Sequence, residues 1–87
     1  QNPDTVREFR EVGTKLGIYN FEHKEYPSSL SALSSYFPGG VPINRDTGKP
    51  FYYHRNYDQY GNPNGFVLCP EEGASDNRCY RENVYYN

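Results

Sequence analysis

Two cysteines, two histidines and two acidic loops are the parts of this sequence whose residue types could do chemistry. Cys69 and Cys79 are the only cysteines among 87 residues. They lack the spacing of a metal site, and an even pair in a short chain reads as a disulfide formed in an oxidising compartment. His23 and His54 are the only histidines. Neither belongs to a ligand pair or stands beside a nucleophile, so a surface or hydrogen-bonded structural role is expected of both. The serines gather in a helical stretch, away from any strand–turn–helix setting, and no glycine-rich phosphate loop occurs. The residue types therefore give no basis for an enzyme.

Asn44 lies close to Asp46, and Glu71, Glu72, Asp76 and Asn77 share a second loop. Oxygen ligands at such spacing can hold calcium, but neither loop follows the helix–loop–helix calcium pattern. Ordinary turn formation is the expected role of these side chains. No cofactor is expected, with calcium at these loops the one exception the residue types allow.

The tyrosines admit two uses. Tyr52, Tyr53, Tyr57, Tyr60, Tyr80, Tyr85 and Tyr86 could form a platform for sugar or peptide, because flat amphipathic rings make good contact surfaces. Alternatively, alternate rings fill the core while the others cover the sheet. Composition favours the second use for most of them. Apolar residues are 34% of the chain, half of them Tyr or Phe, with neither Trp nor Met, so little else is available to bury. A chain of this size buries only about 60–65% of its unfolded surface, and the core must be thin.

The elements that carry these residues follow from spacing. Phe9, Val12, Leu16 and Tyr19 recur at three and four, which predicts an amphipathic helix from Asp4 to about Phe21. Asp4 is placed to cap it or to act as a first-turn anion. Arg7, Glu8, Glu11 and Lys15 fall largely outside the apolar stripe. Gly13 and Gly17 share a face that another backbone could approach, although simple tolerance in a tightly packed helix explains them as well. Tyr26-Pro27 stops the helix. Ser28 to Phe37 reads as a short second helix with Leu30, Leu33 and Phe37 inward and Ser28 or Ser29 as cap, ended by Pro38-Gly39-Gly40. Val41 to Pro50 reads as a loop. Phe51 to Arg55, Gly65 to Cys69 and Cys79 to Tyr86 read as antiparallel strands, the first two joined by a turn-rich connection. The expected fold is α+β: an N-terminal amphipathic helix packed on a small antiparallel sheet of about three strands, a short second helix and one C-terminal disulfide. One domain spans residues 1–87, with a helix over 1–25, a short helix and loop over 26–50, and the sheet with its disulfide loop over 51–87.

The net charge is −2 and both signs are scattered. Nucleic acid is not an expected partner, because a phosphate backbone calls for a basic stripe. No apolar run approaches the roughly 20 residues needed to cross a bilayer. The chain opens on Gln1-Asn2-Pro3 inside a helical pattern, and a processed or trimmed end with a missing upstream targeting segment is expected.

The order of these signals resembles one family. A helix runs into Ile18-Tyr19-Asn20-Phe21-Glu22-His23-Lys24-Glu25-Tyr26-Pro27. Leu30-Ser31-Ala32-Leu33 follows, then Val41-Pro42-Ile43-Asn44-Arg45-Asp46-Thr47-Gly48-Lys49-Pro50-Phe51-Tyr52-Tyr53. This is similar to the soluble headpiece of type IV pilins and type II secretion pseudopilins, over roughly residues 5–54. The family's hydrophobic half-helix with its Phe-Thr-Leu-Ile-Glu start is not in the sequence. Nor is the Ser/Gly/Asp-Gly calcium run of the major pseudopilins; Cys69 and Cys79 bound a loop there, as in many type IV pilins.

The resemblance implies a filament subunit that assembles with other pilin-like subunits, in a homo- or hetero-filament. A preceding apolar segment would anchor it in the inner membrane. The headpiece would be periplasmic, or extracellular in a surface filament. It further implies that Arg7, Glu8, Glu11 and Lys15 contact neighbouring subunits. Phe9, Val12, Leu16, Tyr19, Leu30, Leu33, Phe51, Phe66 and Leu68 would form the headpiece core. A secreted module that recognises glycan or peptide through exposed tyrosines is the other function the sequence admits.

Overall fold

A computed structural model describes residues 2–83. Helix α1 spans Pro3–His23. It starts one residue before the sequence reading because Asn2, not Asp4, is the cap: the Asn2 Oδ1 accepts the Asp4 N–H at 2.8 Å. Pro3 at the first helical position gives up only a donor that would be free anyway, and Asp4 serves as the first-turn anion. The helix stops when Lys24 turns left-handed at φ 65°, its N–H returning to the Asn20 carbonyl at 2.8 Å. Pro27, three residues on, keeps Tyr26 out of the helical region.

The second helix is a 3-10 helix over Leu30–Tyr36. With three residues per turn, Leu30 and Leu33 lie on one side. Ser29 occupies the cap position without a capping bond. Its hydroxyl pairs instead with that of Ser31 at 2.7 Å. The region expected to be plain loop contains a minimal hairpin, β1 (Ile43–Asn44) paired with β2 (Lys49–Pro50). Gly48, at φ 73°, closes its turn by donating to the Asn44 carbonyl.

Strands β3 (Tyr52–Tyr57), β4 (Pro63–Cys69) and β5 (Tyr80–Asn83) form an antiparallel meander in that order. The expected third strand extended to Tyr86; its last residues, with Tyr85, lie outside the described ones. Asn64 is the extra residue of a bulge, since Asn56 pairs with Gly65 and Tyr57 with Pro63. Period-two alternation sorts the side chains between faces. The register puts Tyr53, Leu68 and Tyr80 in one row and Arg55, Phe66 and Glu82 in the next, on the face that meets α1. Tyr52, His54, Val67, Cys69 and Arg81 take the other face.

Val12, Leu16, Leu33 and Leu68 have no solvent exposure, and Tyr26, Phe37, Phe51 and Phe66 complete the buried cluster. Phe9, Tyr19 and Leu30 pack on it while partly buried. Aromatic rings knit the margins. The Phe9 ring lies 5.2 Å from that of Phe51 and stacks on Tyr80 at 5.1 Å. Tyr26 meets Phe66 edge-on at 4.8 Å. Tyr80 also lies over Gly13: a Cβ there would stand 3.4 Å from two of its ring carbons, at the near edge of ordinary contact. The close approach is thus by a side chain, and a Cβ at Gly17 would meet nothing within 4 Å.

The Cys69–Cys79 disulfide is formed, with the Cα atoms 4.3 Å apart. It continues the β4–β5 pairing just past Leu68 and Tyr80, and so fixes the register of the short edge strand that supplies Tyr80. Replacing both cysteines by serine is predicted to lower unfolding free energy by about 2–3 kcal/mol on the loop-entropy model. Urea titration measures the loss, and the native chain gains two protons in mass on reduction.

Candidate functional site

Three polar constellations surround the core, and each is built from side chains of different elements. The first binds the start of α1 to the β1–β2 hairpin and the disulfide loop. Asn44 is buried, and all its polarity is turned inward. Its Oδ1 accepts the N–H groups of Asp46 at 2.8 Å and Thr47 at 3.3 Å, and its Nδ2 donates to the Pro70 carbonyl at 3.0 Å. Next to it, the Arg45 N–H donates to Thr5 Oγ1 at 3.0 Å, and Thr5 is likewise buried. The Arg45 guanidinium then takes Glu8 bidentately at 2.8 and 3.2 Å, with Asp4 at 3.7 Å.

The second constellation ties down the segment after α1. Tyr53 donates its hydroxyl to the Pro27 carbonyl at 2.5 Å, and Arg55 Nη1 donates to the Tyr26 carbonyl at 3.1 Å. Burial, and then the Glu82 carboxylate beside it, push the Tyr26 hydroxyl up to about 12. Burial also raises Tyr53. Farther round, Tyr36 donates to Glu22 at 2.6 Å, and this bond to a carboxylate pushes the Tyr36 hydroxyl up to about 12.

The third braces the disulfide loop and ties it to β5, where Arg78 pairs with Glu71 at 2.6 Å and Arg81 with Asp76 at 2.7 Å. A cleft of about 250 Å³ runs between this loop, Asn44 and the first turns of α1, floored by Phe9 and Tyr80 with Arg10 and Asp46 on its walls.

The residues implied to contact neighbours divide. Arg7 reaches Asp4 at 3.1 Å and Glu11 at 3.9 Å, all three about half exposed. Lys15 lines the outward face of α1 with Arg7 and Glu11. Glu8 is held by Arg45 of its own chain, so its carboxylate is largely spent inside the molecule. Ile18 and Phe21 are also exposed on α1, Phe21 by 77%.

The loop side chains with calcium-like spacing are mostly engaged: the Asn44 amide in its turn, the Glu71 and Asp76 carboxylates in ion pairs. Among the described residues, no group of three or more His, Cys, Asp or Glu side chains is gathered as a metal set. His23 stacks on Tyr19 at 4.1 Å, and His54 lies exposed on the outer face of β3. No described helix is long and apolar enough to cross a membrane.

Sequence reasoning overlooked the buried roles of Tyr26, Thr5 and Asn44. Asn44 carried a usable signal, because an asparagine two residues ahead of Asp46-Thr47-Gly48 is an Asx-turn pattern. Thr5 carried none; its partner lies forty residues away.

No family model, curated protein or solved structure matches the chain. Function therefore rests on the arrangement itself.

Asn44→Ala leaves two backbone N–H groups and the Pro70 carbonyl without partners. A typical intramolecular hydrogen bond contributes about 0.5–1.5 kcal/mol net, and three are lost here. The substitution is predicted to destabilise the fold by about 2–3 kcal/mol, read by urea titration, with earliest hydrogen exchange at Asp46 and Thr47.

Proposed function

We propose that this chain is the headpiece of a filament subunit of the type IV pilin or type II secretion pseudopilin class. The observation that carries this reading is the division of α1. A 21-residue helix is about 32 Å long at 1.5 Å per residue, in a molecule whose longest dimension is 40 Å. One stripe of it is sealed on the sheet by Val12 and Leu16, while Arg7, Glu11, Lys15, Ile18 and Phe21 are left on other faces. Such a helix suits a spine that carries a headpiece on one side and meets other subunits on the other. The ordered run from Ile18 to Tyr53 supports the same class.

On this reading an apolar segment ahead of the helix anchors the subunit in the inner membrane until assembly, and the headpiece is periplasmic or displayed on a surface filament. Subunit contacts use Arg7, Glu11 and Lys15. Glu8 contributes indirectly, by fixing the hairpin beside them.

The gene is predicted to encode, directly upstream of Gln1, a short basic leader, a Gly-Phe-Thr-Leu-Ile-Glu-like junction and roughly 20 apolar residues. An ordinary cleavable secretion signal at that position would overturn the assignment. In the full-length protein, a photo-crosslinker at Arg7 or Lys15 should join subunits within filaments.

A further inference from the structure

The tip of the β3–β4 hairpin presents two tyrosines whose exposure neither the core nor the filament reading uses. Tyr60 is 79% exposed and Tyr57 50%. The backbone that carries Tyr60 is hydrogen-bonded, and the Tyr57 side chain is held directly. The Asp58 Oδ1 accepts the N–H of Tyr60 at 2.8 Å and that of Asn62 at 3.0 Å. The backbone closes the same turn twice, from Asp58 to the Asn62 carbonyl and from Gly61 to the Asp58 carbonyl, with Gly61 at φ 81°. Tyr57 is held from beneath: Arg55 Nε donates to its hydroxyl at 3.0 Å, and the guanidinium lies 5.1 Å from its ring centre. Arg55 is itself moored to the Tyr26 carbonyl.

The arrangement favours binding, because the Tyr57 ring and the backbone that carries Tyr60 are already held, and tyrosine side chains with few rotatable bonds lose little conformational freedom when a ligand arrives. A turn that needed only solubility could carry any polar residue at position 60. The chemistry of the surroundings selects the ligand. Gln59 and Asn62 are exposed and carry amides, which both donate and accept hydrogen bonds. The two charged side chains of residues 55–62, Arg55 and Asp58, are opposite in sign and committed to holding the tyrosines. Over residues 55–62 the tip is therefore neutral, aromatic and amide-rich. An ionic partner would call for a complementary field that the patch lacks. A neutral sugar offers what fits: a C–H face to stack on the rings and hydroxyls to meet the amides.

We infer that the Tyr57–Asn62 tip is a binding site for a neutral oligosaccharide. The inference does not depend on filament assembly, and it holds or fails for the isolated headpiece.

The test is titration of the isotope-labelled chain, followed by amide NMR shifts, with maltohexaose, cellohexaose, chitohexaose and, as charged probes, sialyllactose and an oligoglutamate peptide. At least one neutral hexaose should shift the amides of residues 57–62 and saturate in the millimolar range or below. Tyr60→Ala should weaken it about tenfold, the usual loss for a central aromatic contact, with thermal unfolding unchanged. Tyr60→Phe, which keeps the ring, should retain most of the affinity. The site is overturned if no neutral hexaose moves those amides up to about 10 mM, the weak end of measurable affinity. It is equally overturned if Tyr60→Ala binds as tightly as the native chain, or if a charged probe binds the tip more tightly than every neutral one.

Discussion

Val12 and Leu16 sit one turn apart on α1, and the sheet can be covered only through them. Both are fully sealed, in one cluster with Leu33, Leu68 and Phe66. With aliphatic side chains this scarce, burying Leu16 supplies about 1.5–3 kcal/mol that no neighbouring residue duplicates. The rings of Phe9, Tyr26, Phe51 and Tyr80 then close the edges. Two of them lean on the helix directly, since Phe51 and Tyr80 both meet Phe9 of α1. The disulfide belongs to the same arrangement, because it holds the four-residue strand that delivers Tyr80.

Polar contacts set where the helix ends lie rather than whether it packs. An exposed pair such as Arg7 with Asp4 contributes at most about 1 kcal/mol. The buried Asn44 is different in kind, for its loss removes three hydrogen bonds at once, to Asp46, Thr47 and Pro70. Through Pro70 and Thr47 on one side and its neighbour Arg45 on the other, it links the disulfide loop, the hairpin and the start of α1. Arg55 and Tyr53 do the corresponding work at the far end by holding Tyr26 and Pro27. The helix is thus fixed at both ends and pressed in the middle, leaving its charged stripe of Asp4, Arg7 and Glu11 open to solvent.

The sequence was most legible where one period governed the pattern. The spacing of Phe9, Val12, Leu16 and Tyr19 marked the face of α1, and the lone cysteine pair marked the bridge. Strands were recognised by aromatic and β-branched runs, but their ends shifted because pairing, not propensity, decides where a strand stops. The β1–β2 hairpin escaped notice: two-residue strands have no period, and its stability comes from Asn44 reaching Pro70. The polar clasps were opaque for the same reason, since Arg45 meets Glu8 and Thr5 only after the chain has folded. The exposed tyrosines at 57 and 60 could not be told from buried Tyr26 by residue type; burial separated them.

α1 and the sheet form one cooperative unit through Leu16. The most direct test is equilibrium urea unfolding of Leu16→Ala, followed at once by helical circular dichroism and by amide hydrogen exchange in β4. The account predicts coincident transitions, both displaced by a loss of about 2–5 kcal/mol. A variant whose helix melts early while β4 keeps its native protection would contradict it, for the sheet would then stand without the helix.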